Sequence, residues 1–215
     1  MADRRRYTGT KILQAGWTIL TLVVGGVLAV TSLFPTTVTI GGVGALWVGG
    51  LLVLGLREHR HWTEVIATSS FDRGTTGGTA DFQQIIRGKS VTVRSDVTGV
   101  LTPGHTQVRA PVEGVDASFT VRITDAEPTD DGVRTGVDAL DERFAITGAE
   151  GNIAALLTEE TRDALLAVDP PGTYTIRPDR VVFEVPFTRL TADELAVAGE
   201  AVAVLALQLE TVGQR

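Results

Sequence analysis

The sequence contains no cysteine and only two lysines, Lys11 and Lys89. The first absence excludes disulfides, thiolate metal sites, iron–sulfur clusters and cysteine nucleophiles. The second leaves arginine to supply nearly all the positive charge, alongside abundant aspartate, alanine and valine. That composition fits a salt-adapted organism with GC-rich coding, where salt screens a net negative surface. Catalytic signatures are also missing. There is no Gly-x-Ser-x-Gly elbow and no His-Glu-x-x-His helix. The run Gly74-Thr75-Thr76-Gly77-Gly78-Thr79 lacks the Gly-Lys-Ser/Thr ending of a phosphate loop and reads as a turn or linker. Nothing in the sequence calls for a cofactor or a metal, and no residue is nominated as catalytic.

Charge is absent from one long stretch. Ile12 to Phe34 is an uncharged run of roughly 23 residues and Val38 to Leu56 one of roughly 19, against the 20 or so needed to cross a bilayer. Pro35 stops the first run, so residues 1–61 read as a transmembrane helical hairpin with spans near 12–34 and 38–56. A signal peptide is the rival for the first run, but the run is long for one and a second span comes at once. Arg4, Arg5, Arg6 and Lys11 precede the first span, Arg57 and Arg60 come after the second, and the turn has no positive charge. The positive-inside rule then puts both termini in the cytoplasm of a multi-pass cell-membrane protein, with the lipid bilayer as its first partner. Trp62 is expected at the head-group layer.

Small residues recur every fourth position in both runs: Thr21, Gly25 and Ala29, then Gly41, Ala45 and Gly49. Such stripes let helices approach closely, either span against span or against a second chain as a homo-oligomer or partner contact. Neither run carries an ionisable residue, so the hairpin reads as an anchor rather than a conduit.

The rest of the chain is acidic. The whole sequence has 19 Lys and Arg against 26 Asp and Glu; six and two of these fall in residues 1–61, which leaves 13 and 24 downstream, a net charge of about −11. Such a domain repels phosphate backbones and anionic lipid, and nucleic acid is not an expected partner. After a juxtamembrane linker over 62–80, residues 81–215 read as a soluble α+β domain: antiparallel strands, a mid-domain helix and a C-terminal helix. Alternation marks strands within Ser90–Leu101, Gln107–Val112 and Ala117–Ile123, and Gly136–Thr147 reads as extended around Phe144 and Ile146. Together they suggest a meander. Thr158 precedes Glu159 and Glu160 as a helix start. Tyr174, Ile176, Val181, Phe183 and Val185 flank the turn at Pro178 as a hairpin. Thr191 and Glu194 form a capping box with Leu190 and Leu195 as a staple, and Ala201–Leu207 is apolar all round, which favours burial against the sheet.

The segment Asp141-Glu142-Arg143-Phe144-Ala145-Ile146-Thr147-Gly148 leads to Leu156-Leu157-Thr158-Glu159-Glu160-Thr161-Arg162-Asp163-Ala164-Leu165-Leu166. This order resembles a loose group of uncharacterised membrane-anchored proteins in which Phe-Asp-x-x-Phe-x-Val precedes Leu-Leu-Thr-x-x-x-Arg-x-x-Leu-Leu. Leu140 stands here where that pattern has its first aromatic residue. The resemblance covers about a third of the chain. It implies paired transmembrane helices ahead of a cytoplasmic α+β domain, and it assigns no activity to any residue.

Three histidines remain as candidates. His59 and His61 share a face only if their segment is extended, where they could hold a metal beside Glu58 and Glu64. His105 needs a carboxylate brought to it by the fold. Asp125, Glu127, Asp130 and Asp131 make an acidic turn of the kind calcium favours, without EF-hand spacing. The sequence therefore points first to a membrane-tethered interaction or structural module at the cytoplasmic face. A membrane-anchored hydrolase or other enzyme with an unrecognised site, for which His105 with an aspartate is one version, and an accessory subunit of a membrane complex are the alternatives.

Overall fold

The computed structural model describes residues 60–73, 80–96, 105–115, 120–126, 132–186 and 190–214, and six further positions, Leu20, Ala45, Gly49, Gly50, Val53 and Leu56. The expected spans at 12–34 and 38–56 lie outside the described residues except at those six, each of which is helical. No N-terminal hairpin is shown by them.

The remainder is α+β. In chain order it runs α1 (60–68), β1 (Asp72–Arg73), β2 (Ala80–Ile86), β3 (Lys89–Asp96), β4 (His105–Pro111), β5 (Val121–Asp125) and α2 (Asp138–Arg143). It continues with β6 (Phe144–Gly148), α3 (Glu150–Leu156), α4 (Glu159–Ala167), β7 (Thr173–Arg177), β8 (Arg180–Pro186) and α5 (Ala192–Gly213). The eight strands form one antiparallel sheet in the order β1-β2-β3-β4-β8-β7-β5-β6. A simple meander is thus overturned. The hairpin β7–β8, late in the chain, inserts between β4 and β5, because its inward residues complete the middle of the core.

Strand alternation decides which face is covered. Val91 and Val93 on β3, Val108 and Ala110 on β4, Val121 and Ile123 on β5, Ile176 on β7 and Val181, Phe183 and Val185 on β8 all point one way and are buried. The helices lie on this face, and α5 crosses it at β4 and β8, with α3 and α4 alongside. Helix α5 starts as its sequence dictates. The Thr191 hydroxyl accepts from the Glu194 N–H at 3.3 Å, and the Glu194 carboxylate accepts from the Thr191 N–H at 2.8 Å. Ala201 through Ala206 are all buried, as expected of a stretch apolar all round. Among the described residues α5 is the one helix long and apolar enough to cross a membrane, and its burial makes it the core helix of the domain.

Three expectations are corrected. Trp62 belongs to the core, 4% exposed, its indole stacked on Phe82 of β2 with ring centroids 6.0 Å apart. A large apolar ring gains more from that slot than from a head-group layer. Val65 on the same side of α1 is buried too, as is Phe71, so the stretch expected as linker carries helix, core residues and β1 in its described part. Within Gly136–Thr147, Asp138–Arg143 is helical rather than extended. Its first turn has no side-chain cap. It is held instead by buried Leu140 and by Asp141, which accepts from the Thr135 N–H and hydroxyl, both at 2.8 Å, and from the Gly136 N–H at 3.0 Å. Asp125 sits at the end of β5 and pairs with Arg143 at 3.0 Å, so it is not a free loop carboxylate. Glu127, Asp130 and Asp131 lie outside the described residues.

The sheet edges are blunted. At β6 the Val133 N–H donates to the outward Ile146 carbonyl at 2.8 Å. The β2–β3 turn uses Arg87 at φ 51° and Gly88 at φ 80°, the geometry of a tight hairpin. The Arg87 guanidinium then reaches Glu160 on α4 and Glu200 on α5, clasping that turn to the helical layer.

Candidate functional site

Alternation that fills one face leaves the other open. The register aligns its outward positions in rows across the sheet. One row runs Arg94, Gln107, Glu184, Thr173, Thr124, Ala145. The next runs Gln83, Thr92, Arg109, Val182, Thr175, Arg122, Thr147. All these side chains are half-buried or exposed, and none is aromatic. Gln107 donates to the Glu184 carboxylate at 3.0 Å, and Arg109 donates to Gln107. This is a largely polar surface on a sheet whose other face is buried.

His105 opens β4 and is half-buried. The register sets it between Asp96 on β3 and Pro186 on β8, so the fold does bring an aspartate position directly across from it. His61 is helical, and its candidate metal partner His59 lies outside the described residues. The His61 ring meets Trp62 edge-on at 5.5 Å. Thr21, Gly25, Ala29 and Gly41 of the small-residue stripes also lie outside the described residues. Ala45 is exposed, and a Cβ added at Gly49 would meet no atom within 4 Å. Among the described residues no group of three or more His, Asp and Glu is placed to hold a metal.

Two crevices are lined by described residues. One lies between Val133, Arg134, Asp141 and Phe144. The other lies between Asp125, Arg143, Pro170, Tyr174 and Phe183. Neither has room for a water molecule. In the second, Arg143 donates to the Leu166 carbonyl at 3.0 Å, to the Val168 carbonyl and to Asp125, tying the end of α4 to β5. The Tyr174 hydroxyl beside it is buried without a hydrogen-bond partner. Burial pushes this phenol well above its ordinary value; Arg143 acts to lower it and Asp125 to raise it. It holds its proton at any neutral pH. At Asp141, partial burial acts to raise the carboxyl, but the hydrogen bonds from Thr135 and Gly136, with Arg134 nearby, outweigh it and hold the group below its ordinary value.

The open sheet face escapes sequence reasoning because its residues come from seven strands in a non-sequential order. Only period-two polar positions in each strand signal it. No protein family, curated protein or solved structure matches this chain.

Proposed function

We propose that the chain is a membrane-tethered interaction module, anchored by its N-terminal apolar hairpin and presenting the open sheet face at the cytoplasmic side. One observation carries this reading: the apolar stretch leads into α1, whose Trp62 and Val65 are part of the domain core. Every described position from Ala45 to Thr68 is helical. Leu20, Val53 and Leu56, at 54%, 64% and 52% exposure, offer their side chains outward, as lipid-facing residues do. Large apolar side chains exposed in one segment, beside a polar domain, call for a covering phase. The spans, the cytoplasmic placement of both termini and a protein partner or homo-oligomer belong to this proposal.

The test has two parts. The full-length protein should stay with membranes through alkaline carbonate washing; release into the supernatant would end the anchor reading. Light cross-linking in the native membrane, then purification in mild detergent, should recover a stoichiometric partner. Recovery of the chain alone would end the interaction reading. A second reading rests on the register, which sets an aspartate position directly opposite His105, as a histidine-based hydrolase would require. His105→Ala should then abolish hydrolysis of a panel of ester and phosphoester substrates, and an inactive wild-type protein disposes of it.

A further inference from the structure

Charge is unevenly balanced across the open face. At one end the register sets Asp81 opposite Arg94 and Asp96 opposite His105. Toward the other end it assembles four arginines from four strands. Arg109 of β4 stands opposite Val182, Val182 opposite Thr175, and Thr175 opposite Arg122 of β5. One row further, Arg177 stands directly opposite Arg180 across the β7–β8 turn. The four guanidinium groups thus frame Val182 and Thr175. Arg122, Arg177 and Arg180 are exposed. Asp179 reaches Arg180 at 3.4 Å, while among the described residues Arg122 and Arg177 have no carboxylate partner. Like charges directly across a strand pair destabilise it, so this arrangement has a cost in an otherwise acidic domain with carboxylates to spare.

We propose that this arginine frame is the docking surface for an acidic segment of a protein partner, laid across β4, β8, β7 and β5 with its carboxylates on the four guanidinium groups. The proposal rests on the reading of the chain as an interaction module and names its surface. Charge complementarity selects an anionic occupant, and guanidinium pairs carboxylates in bidentate fashion. Two further observations select a peptide. Among the described residues no Phe, Tyr or Trp side chain stands on this face to stack a base. The direction of α1 points the frame away from lipid. The chain passes from Trp62, stacked on Phe82, to Ser70, which accepts from Gln84 at 2.7 Å, so α1 enters at the Asp81–Asp96 end and runs toward the arginine end. The frame is therefore at the end of the sheet remote from the anchor.

The test uses full-length protein in maltoside micelles and a fluorescein-labelled octaglutamate peptide, read by fluorescence anisotropy. Saturable binding that weakens with added salt is expected. Combined Arg122→Ala, Arg177→Ala and Arg180→Ala should raise the Kd by about tenfold or more. Arg134→Ala, away from this face, should leave it unchanged. The triple variant should melt no lower than wild type, since it relieves the Arg177–Arg180 repulsion; loss of binding with intact melting therefore identifies the surface rather than misfolding. Absence of binding, or equal binding by the triple variant, overturns the proposal. So does tighter arginine-dependent binding of a twenty-residue oligothymidylate or of phosphatidylserine vesicles, or an arginine-dependent dimer by light scattering. A cross-linked membrane partner that survives the triple substitution would leave the interaction module standing and remove this surface alone.

Discussion

Strand β8 exposes two environments within a few residues. Val181, Phe183 and Val185 are sealed under α5, while Arg180 and Glu184 on the same strand are exposed and Val182 is half-buried. The backbone is shared, so the contrast isolates what each face contributes. The covered face removes apolar area from water, and it tolerates polar atoms only where they are bonded. The open face adds little to stability and is free to carry charge in patterns that stability alone would not choose.

Substitutions on the two faces should separate accordingly. Phe183→Ala, which empties a ring stacked 4.5 Å from Tyr174, should cost about 3–5 kcal/mol in denaturant unfolding. A cost under about 1 kcal/mol would mean the two layers are not tightly packed. Arg143→Ala removes an ion pair and two carbonyl contacts at the margin of the covered face. Because this guanidinium is only partly buried, a loss of about 2 kcal/mol is expected by thermal melting. Asp141→Asn should cost about 1–2 kcal/mol at neutral pH. The wild-type carboxyl has its folded value below its unfolded one, so its stabilisation is complete above about pH 4 and is lost as pH falls through the folded value. Wild type and variant should therefore converge in acid, and a constant gap down to about pH 2 would remove the carboxylate from that role. Tyr174→Phe deletes a buried hydroxyl that has no partner and should leave stability unchanged or raise it by up to about 1 kcal/mol. Val182→Thr, one residue from Phe183 and on the open face, should shift stability by less than about 0.5 kcal/mol; a large loss would show that this face is covered after all.

The elements legible in the sequence carry their signals locally. The Thr191–Glu194 box, the Thr158 cap and the β7–β8 hairpin each declare themselves within a few residues, and all three are present. Helix α2 looks extended in sequence because its stabilising bonds come from Thr135 and Gly136 upstream and from the burial of Leu140, not from a cap. Strand β2 is hidden because Gln83-Gln84-Ile85-Ile86 breaks strict alternation, with Ile85 at 65% exposure on the open side. Strand order has no local signal at all. It comes from which apolar faces fit together, and the arginine frame is a by-product of that order, drawn from positions 109, 122, 177 and 180. The candidate surface is invisible for the same reason that the core is not: apolar alternation marks what goes inside and leaves the outward partners unspecified.

The seating of Trp62 against Phe82 also has a mechanical meaning. A pull along α1 loads that stack, and the Ser70–Gln84 hydrogen bond behind it, in shear along β2. Force applied where the chain enters the domain is thus shared through the β2–β3 ladder with the rest of the sheet. If α1 continues into an anchor as proposed, tension or rotation of that helix would reach β2 first and, through its ladder, β3.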